Sequence, residues 1–180
     1  MLQVFSSNFN RLDIDPGNTT TTWQDVYNQT SAIINSKLYS LLPNYAELFE
    51  EETQNCIESI FEIQAKAGTG GYSLPDWNVC GNRVSNPGSN YGWGFHNVTQ
   101  NLVDAFDPTD PRLSSTVYGI GFNNGTLYGV TLRYDRSQQQ TNYFNRKAAL
   151  SYRPSNGTSK QWMLMRYADV LLMNAEACYY

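Results

Sequence analysis

The amino-acid sequence predicts a mainly α fold with small β elements, an α+β class, on three observations. Apolar residues recur at helical spacing near both ends of the chain, over residues 23–41 and 164–178. Short alternating runs of apolar and polar residues, typical of strands, lie between them. Residues 72–96 show no periodicity and carry several large aromatic side chains. These features indicate a helical support that carries a long irregular loop and a β-hairpin.

Composition places the chain among globular proteins and disfavours some partners. Of its 180 residues, 41% are hydrophobic and 16% are charged, which allows a sizeable core. The net charge is −4 and the 12 lysines and arginines are scattered, which argues against nucleic acid and against anionic membrane surfaces. Aromatic residues make up 14% of the chain. Because Tyr and Trp combine an apolar face with a polar tip, this excess favours partly hydrated binding surfaces.

The first predicted helix begins after Thr22, a good N-cap residue, with Asp25 three positions later. Its predicted apolar face comprises Trp23, Val26, Tyr27, Thr30, Ile33, Ile34, Lys37, Leu38 and Leu41. A short second helix is expected in NYAELFEEET, with Tyr45, Leu48 and Phe49 on one side. The stretch ESIFEIQ then alternates, which predicts a strand.

A short helix and a turn are predicted after the long loop. Thr99 can cap the helix TQNLVDAF. Its inward residues are predicted to be Leu102, Val103 and Phe106. In the turn DPTDPR, the side chains of Asp107, Asp110 and Arg112 are close enough for hydrogen bonds or an ion pair.

A β-hairpin is predicted over residues 115–134. The alternating runs STVYGIGF and TLYGVTLRY lie on either side of Asn124-Gly125, a type I′ turn signal. The later stretch TNYFNRKAALSY predicts a further short strand or extended segment.

The chain closes on a predicted amphipathic helix. Its apolar face is predicted to hold Leu164, Tyr167, Ala168, Leu171, Leu172, Ala175 and Cys178. The opposite face holds Arg166, Asp169, Asn174 and Glu176. The helical pattern runs almost to the last residue, so we expect a piece of a larger protein whose two apolar stripes are exposed. The expected organisation is one partial domain over 1–180, with a helical support and short strand (1–64), a loop-rich ligand region (65–160) and a truncated scaffold helix (161–180).

The loop over residues 72–96 is the predicted binding region. Loops of this length in compact chains are usually functional or disordered, and disordered segments are poor in aromatic residues. This loop holds Tyr72, Trp77, Tyr91 and Trp93 together with several asparagines. Aromatic rings cover the C–H faces of sugars and amides pair with hydroxyl groups, so the composition favours a shallow polyol site.

Signals for catalysis or a bound metal are weak. His96 is the only histidine and lacks the context of a nucleophile, so a structural or ligand-contacting role is expected. The three cysteines show no CxxC or Cys/His spacing. Asp76 is the best candidate for a glycoside hydrolase acid, although Asp after Pro is common in turns. We predict no metal and no cofactor.

Four stretches of the chain resemble, in order, the SusD/RagB family of surface glycan-binding lipoproteins. They are TWQDVYNQTSAIINSKLYSLLPNYAELFEEE, ESIFEIQ, TQNLVDAFDPTDPR and MRYADVLLMNAEA, of which the last is the most specific. The resemblance implies a tetratricopeptide-type helical scaffold and non-catalytic capture of oligosaccharides at the outer-membrane surface. It also implies delivery to a SusC-like TonB-dependent transporter, and membrane attachment through an N-terminal lipid anchor that this chain lacks.

Within this resemblance, glycan contacts are expected in the loop over residues 72–96. The expected contacts are the rings of Trp77, Tyr91 and Tyr72 and the side chains of Asn78, Asn82, Arg83 and Asn90. Trp93 is expected to be structural. Two alternatives stay open: a helical-repeat module that binds a protein without sugar, and a glycoside hydrolase that uses Asp76.

Overall fold

The computed structural model describes residues 21–66, 96–119, 126–127, 130–131, 140–149 and 160–180. The helices are α1 (Trp23–Ser36), α2 (Gln100–Asp104), α3 (Arg112–Thr116) and α4 (Tyr167–Tyr179), with 3-10 turns at Tyr45–Phe49 and Glu51–Thr53. The strands are β1 (Ser59–Ile63), β2 (Val117–Gly119), β3 (Thr126–Leu127), β4 (Val130–Thr131), β5 (Tyr143–Asn145) and β6 (Trp162–Arg166). Within these ranges, none of the helices has the length and apolar character needed to cross a bilayer.

Helix α1 begins at the predicted cap. The Asp25 backbone N–H donates to Thr22 Oγ1 at 3.2 Å, and the Thr22 N–H donates back to Asp25 Oδ2 at 2.8 Å, which completes a capping box. The helix ends at Lys37, whose backbone is left-handed with φ 57°. Leu38 and Leu41, predicted to continue the apolar face, therefore lie beyond the helix and are 71% and 50% exposed.

The chain forms two compact units, and α1 and α4 pack together in the first, which comprises Met1–Leu42, Asn55–Glu62 and Met163–Tyr180. Its buried core consists of Val26, Val170, Met173 and Ala177. Partly buried residues packed around this core are Trp23, Ile33, Ile34, Ile60, Met165 and Tyr167. The Trp23 and Tyr180 rings stack with centroids 4.7 Å apart. The expectation that the two helices expose unpartnered stripes is thus wrong, because they cover each other.

The predicted orientation of the closing helix is also wrong. Leu164 belongs to strand β6 and the helix begins at Tyr167, where the Arg166 N–H donates to Asp169 Oδ2 at 2.8 Å. Leu172 is 70% exposed. Asn174, placed by the prediction on the outer face, donates from Nδ2 to Thr30 Oγ1 at 2.9 Å. The segment VLLM is apolar on every side, so spacing alone could not choose the buried face.

A buried carboxylate joins three segments of the first unit. Glu58 is 2% exposed and directly precedes β1, which forms the predicted strand and is hydrogen-bonded to β6. Its Oε1 accepts from Arg166 Nη1 at 3.1 Å, and its Oε2 accepts from the Leu42 N–H at 2.8 Å. Its backbone carbonyl accepts from the Tyr167 N–H at 2.8 Å. Because the charge is both paired and hydrogen-bonded, it can remain buried.

The second unit comprises Pro43–Gln54 and Ile63–Trp162. Its strands β2 and β5 are antiparallel, with Tyr118 opposite Phe144 and both rings almost fully buried. Gly119 has φ 141°, and a Cβ there would lie 2.2 Å from the Asn142 carbonyl oxygen. Only glycine allows this close approach of the backbones.

The predicted hairpin over residues 115–134 needs correction. Ser115 and Thr116 end helix α3, and β2 pairs with β5, which confirms the short strand predicted there. The hairpin that the structure describes joins β3 to β4, with Leu127 paired to Val130, so its strands are separated by residues 128–129 and not by Asn124-Gly125. Alternation shows that a segment is extended, but it does not identify the neighbouring strand.

Helix α2 confirms the predicted short helix after Thr99, which occupies the N-cap position without a side-chain hydrogen bond. Val103 and Phe106 are half-buried, whereas Leu102 is 42% exposed, contrary to its predicted inward position. The segment predicted as a second helix forms the two 3-10 turns, with Leu48 buried.

Met173→Ala should destabilise the chain far more than Leu172→Ala. Met173 is 5% exposed, and truncation of a buried methionine typically costs about 2–5 kcal/mol. The exposed Leu172 next to it should cost about 0.5 kcal/mol or less. Urea denaturation followed by circular dichroism measures both variants. Equal losses would contradict the observed orientation of α4.

Arg166→Met should also destabilise the first unit, by about 3–5 kcal/mol, because it leaves the buried Glu58 carboxylate without its ion-pair partner. Arg112→Met is the matched control, because it removes an arginine that is 61% exposed from its pair with Asp110 and should lower the urea midpoint much less. If the double variant Glu58→Gln/Arg166→Met were no more stable than Arg166→Met alone, the uncompensated charge would not be the cause.

Candidate functional site

The predicted glycan contacts lie outside the described residues. This applies to Trp77, Tyr91, Tyr72, Asn78, Asn82, Arg83 and Asn90. It applies equally to Asp76, the hydrolase candidate, to Trp93 and to Cys80. All of these assignments stay predictions. Cys56 and Cys178 are free thiols.

The described part of the second unit contains a cavity of about 560 Å³. It is formed by the first 3-10 turn, the end of α2, the DPTDPR turn and the segment after β5. The cavity is lined by Tyr45, Ala105, Phe106, Asp107, Asp110, Arg112, Thr116 and Lys147. Aromatic rings, carboxylates, cations and a hydroxyl group therefore face one space. Such a mixture is suited to binding a polar ligand.

The DPTDPR turn holds its side chains as the sequence predicts. Asp107 Oδ1 accepts from the Thr109 N–H at 2.8 Å and from Thr109 Oγ1 at 2.6 Å. These hydrogen bonds, the hydroxyl bond first, hold the pKa of Asp107 below 3.8. Asp110 forms a bidentate ion pair with Arg112 and accepts from its backbone N–H at 2.8 Å. The same contacts, the side-chain hydrogen bonds first, hold the pKa of Asp110 below its ordinary value and that of Arg112 above its ordinary value.

Lys147 lies over two aromatic rings of the first 3-10 turn. Its Nζ is 5.3 Å from the Tyr45 ring centroid and 4.9 Å from that of Phe49. The two rings meet edge to face at 5.1 Å. Ring faces attract a cation within about 6 Å, so this pair fixes the ammonium group. The sequence predicted that Tyr45 and Phe49 share a side, but it carried no signal that Lys147 reaches them.

A second cavity of about 370 Å³ also has Lys147 and Thr116 in its wall. Its other lining residues are His96, Asn97, Val98, Thr99, Leu102 and Asn145. His96 has a left-handed backbone with φ 56°, and its structural or ligand-contacting role stays a prediction. The Asn97 Oδ1 atom is buried and has no hydrogen-bond partner among the described residues.

Within the described residues, four helices and three two-stranded sheets define a mixed α+β chain that presents these cavities in its second unit. Residues 57–180, more than half of the chain, match the SusD family. The chain belongs to the SusD family, which confirms the resemblance of its motifs. Among curated proteins, none matches it.

Solved structures agree with this assignment. The chain is similar to surface glycan-binding protein A from Bacteroides thetaiotaomicron, with 24% identity and a TM-score of 0.68 over 87% of this chain and 38% of that one. The complex of this protein with laminarihexaose gives 24% identity and a TM-score of 0.67, again over 87% and 38%. A laminarin-binding SusD-like protein gives 24% identity and a TM-score of 0.62 over 87% and 40%. These likenesses establish the fold, and the chain spans about two fifths of each structure.

Two structural predictions, the mixed fold and the tetratricopeptide-type scaffold, have different outcomes. The mixed fold agrees with the SusD-like structures. The tetratricopeptide-type scaffold stays a prediction, because the long helices of the described residues, α1 and α4, are far apart in sequence and pack as one pair.

The Asp107 and Asp110 carboxyl groups should titrate below pH 3.8. Because each pKa is lowered in the folded chain, the contacts stabilise the fold above the pKa of the unfolded chain and are lost as the pH falls through the folded pKa. Carbon NMR of the carboxyl groups measures both midpoints. Thr109→Val removes the hydroxyl donor and should raise the Asp107 midpoint while that of Asp110 stays unchanged. An unmoved Asp107 midpoint would show that the hydroxyl bond is not the cause.

Proposed function

We propose that the chain is the ligand-binding part of a surface glycan-binding protein. The observation that supports this most strongly is its membership of the SusD family over residues 57–180. Solved proteins of similar fold are named as surface glycan-binding proteins, and one is in complex with laminarihexaose. The proposed activity is non-covalent capture of an oligosaccharide, without catalysis.

The chemistry of the chain supports this proposal in two places. The loop over residues 72–96 combines aromatic rings with amide side chains, which suit the two faces of a sugar. The larger of the two described cavities, of about 560 Å³, combines Tyr45 and Phe106 with the charged Asp107, Arg112 and Lys147. Both compositions fit a hydrated, shallow site better than an enclosed apolar pocket.

The wider biological role is a further part of the proposal. We place the chain in one SusD-like domain of a lipoprotein on the outside of the outer membrane, held there by an N-terminal lipid anchor. The protein would deliver oligosaccharides to a SusC-like TonB-dependent transporter. This role rests on the family resemblance, because the chain spans 38% of the first solved relative.

The chain should bind an oligosaccharide through its aromatic loop. Isothermal titration against a panel of polysaccharides, starting with laminarin because a similar structure is named for it, measures the affinity. Removal of one ring that stacks on the ligand should weaken binding, so Trp77→Ala and Tyr91→Ala should each lower the affinity about ten-fold. Tyr179→Ala is the matched control, because this ring is 84% exposed at the end of α4.

Three other outcomes would each reject part of the proposal. Unchanged affinity in both loop variants would exclude Trp77 and Tyr91 from the site. Binding of a protein partner without binding to any glycan would favour the interaction module. Release of reducing ends that disappears in Asp76→Asn would favour the hydrolase.

A further inference from the structure

The charge of Lys147 is not neutralised by a carboxylate of the described residues. Nearby cations of the second unit are paired: Arg112 with Asp110, and Arg146 with Glu50 at 2.9 Å. No described carboxylate lies within ion-pair distance of the Lys147 Nζ. Its contacts are the faces of two aromatic rings. Lys147 therefore offers a positive charge that an added anion can pair with.

The two aromatic rings also restrict the positions that the Lys147 ammonium group can occupy. Tyr45 and Phe49 lie within 5.3 Å and 4.9 Å of Nζ, and the lysine is half-buried. A lysine held in this way loses less side-chain entropy when it binds a ligand than a freely rotating surface lysine does. A partly buried charge pair is also less screened by salt water than an exposed one.

The two cavities that share Lys147 differ in charge. The larger one is also lined by Asp107, Asp110 and Arg112, so its carboxylates are balanced by Arg112 and Lys147. No carboxylate is present among the described residues that line the smaller one, where the neighbours of Lys147 include Thr99, Thr116 and Asn145. An anionic group therefore has no net attraction to the larger cavity and is attracted by the smaller one.

The smaller cavity also has groups for the hydroxyls of a ligand. Thr99 and Thr116 supply hydroxyl groups. Asn145 Oδ1 accepts from the Ala148 N–H at 3.2 Å, which assigns the other end of this amide as a donor. The buried Asn97 Oδ1 accepts from no donor in the described part of the chain. An unpaired buried acceptor is unfavourable, so a ligand hydroxyl or a bridging water would stabilise it.

We propose that the smaller cavity binds the carboxylate-bearing residue of an acidic glycan, with the carboxylate on Lys147 and the sugar hydroxyls on the Thr and Asn side chains. The inference rests on the proposed function and specifies the class of glycan, a uronic-acid oligosaccharide. A neutral sugar would leave Lys147 without an ionic partner, because hydroxyl groups supply no opposite charge.

Isothermal titration of the 180-residue chain with trigalacturonic acid and with its methyl ester tests this inference. The ester keeps the sugar rings and hydroxyls and removes the charge. The free acid should bind about ten-fold more tightly than the ester, as expected for one charge-assisted hydrogen bond. Raising the salt concentration should weaken binding of the acid and leave binding of the ester nearly unchanged.

Variants of Lys147 test whether this residue causes the preference for the acid. Lys147→Met should abolish the preference for the acid, while Lys147→Arg, which keeps the charge and the contact with the rings, should retain it. Lys66→Met removes an exposed lysine elsewhere in the second unit and should have no effect. Thermal melts followed by circular dichroism establish that each variant is folded. If Lys147→Met does not fold, the comparison of acid and ester in the unchanged chain still tests the inference.

The outcomes separate this inference from the proposed function. Equal affinity for acid and ester, or an acid preference that survives in folded Lys147→Met, would overturn the inference. Binding of laminarin without any binding of trigalacturonic acid would overturn it and leave glycan capture intact. Failure to bind either kind of glycan would overturn both.

Discussion

The packing of α1 on α4 is the contact on which the first unit depends. The helices are separated by residues 37–166, so their contact closes a loop of about 130 residues. Closure of a flexible loop of that length costs about 4 kcal/mol in chain entropy. Burial of Val26, Val170 and Met173 offsets this, since each such side chain contributes about 1.5–3 kcal/mol. Glu58, which directly precedes β1, then joins Leu42, in the segment after α1, to Arg166 at the start of α4.

Local features of the fold could be predicted from sequence, whereas the elements that pack or pair with one another could not. The capping box at Thr22 and the Asp110–Arg112 pair join residues within a few positions of one another, and the ESIFEIQ strand is indicated by alternation within its own residues. The buried face of α4 and the partner of β2 depend on residues more than twenty positions away. Leu172 shows the limit, because a helix with apolar residues on all sides has no face that its own spacing can select.

The candidate site shows the same difference between local features and contacts that join residues far apart in sequence. Asp107, Asp110 and Arg112 were predicted to organise one turn, and they do so at the edge of a cavity. Lys147 reaches that cavity only because the segment after β5 passes beside the first 3-10 turn, a contact between residues about a hundred positions apart. A lysine in a polar stretch has no pattern that identifies it as a cavity residue. The aromatic loop over residues 72–96 is predicted from composition, and both the loop and its contacts stay predictions.

The close passage of backbones at Gly119 has a consequence for how distant members of the family can be recognised. A side chain there would push β2 away from the segment that leads into β5 and separate Tyr118 from Phe144. At identities near 24%, few single positions carry information, since most surface and many core positions can change. Gly119 follows the buried Val117 and Tyr118. The backbone geometry requires a glycine there, whatever the ligand is. This glycine can therefore mark chains that share this β2–β5 pairing even when their sugars differ.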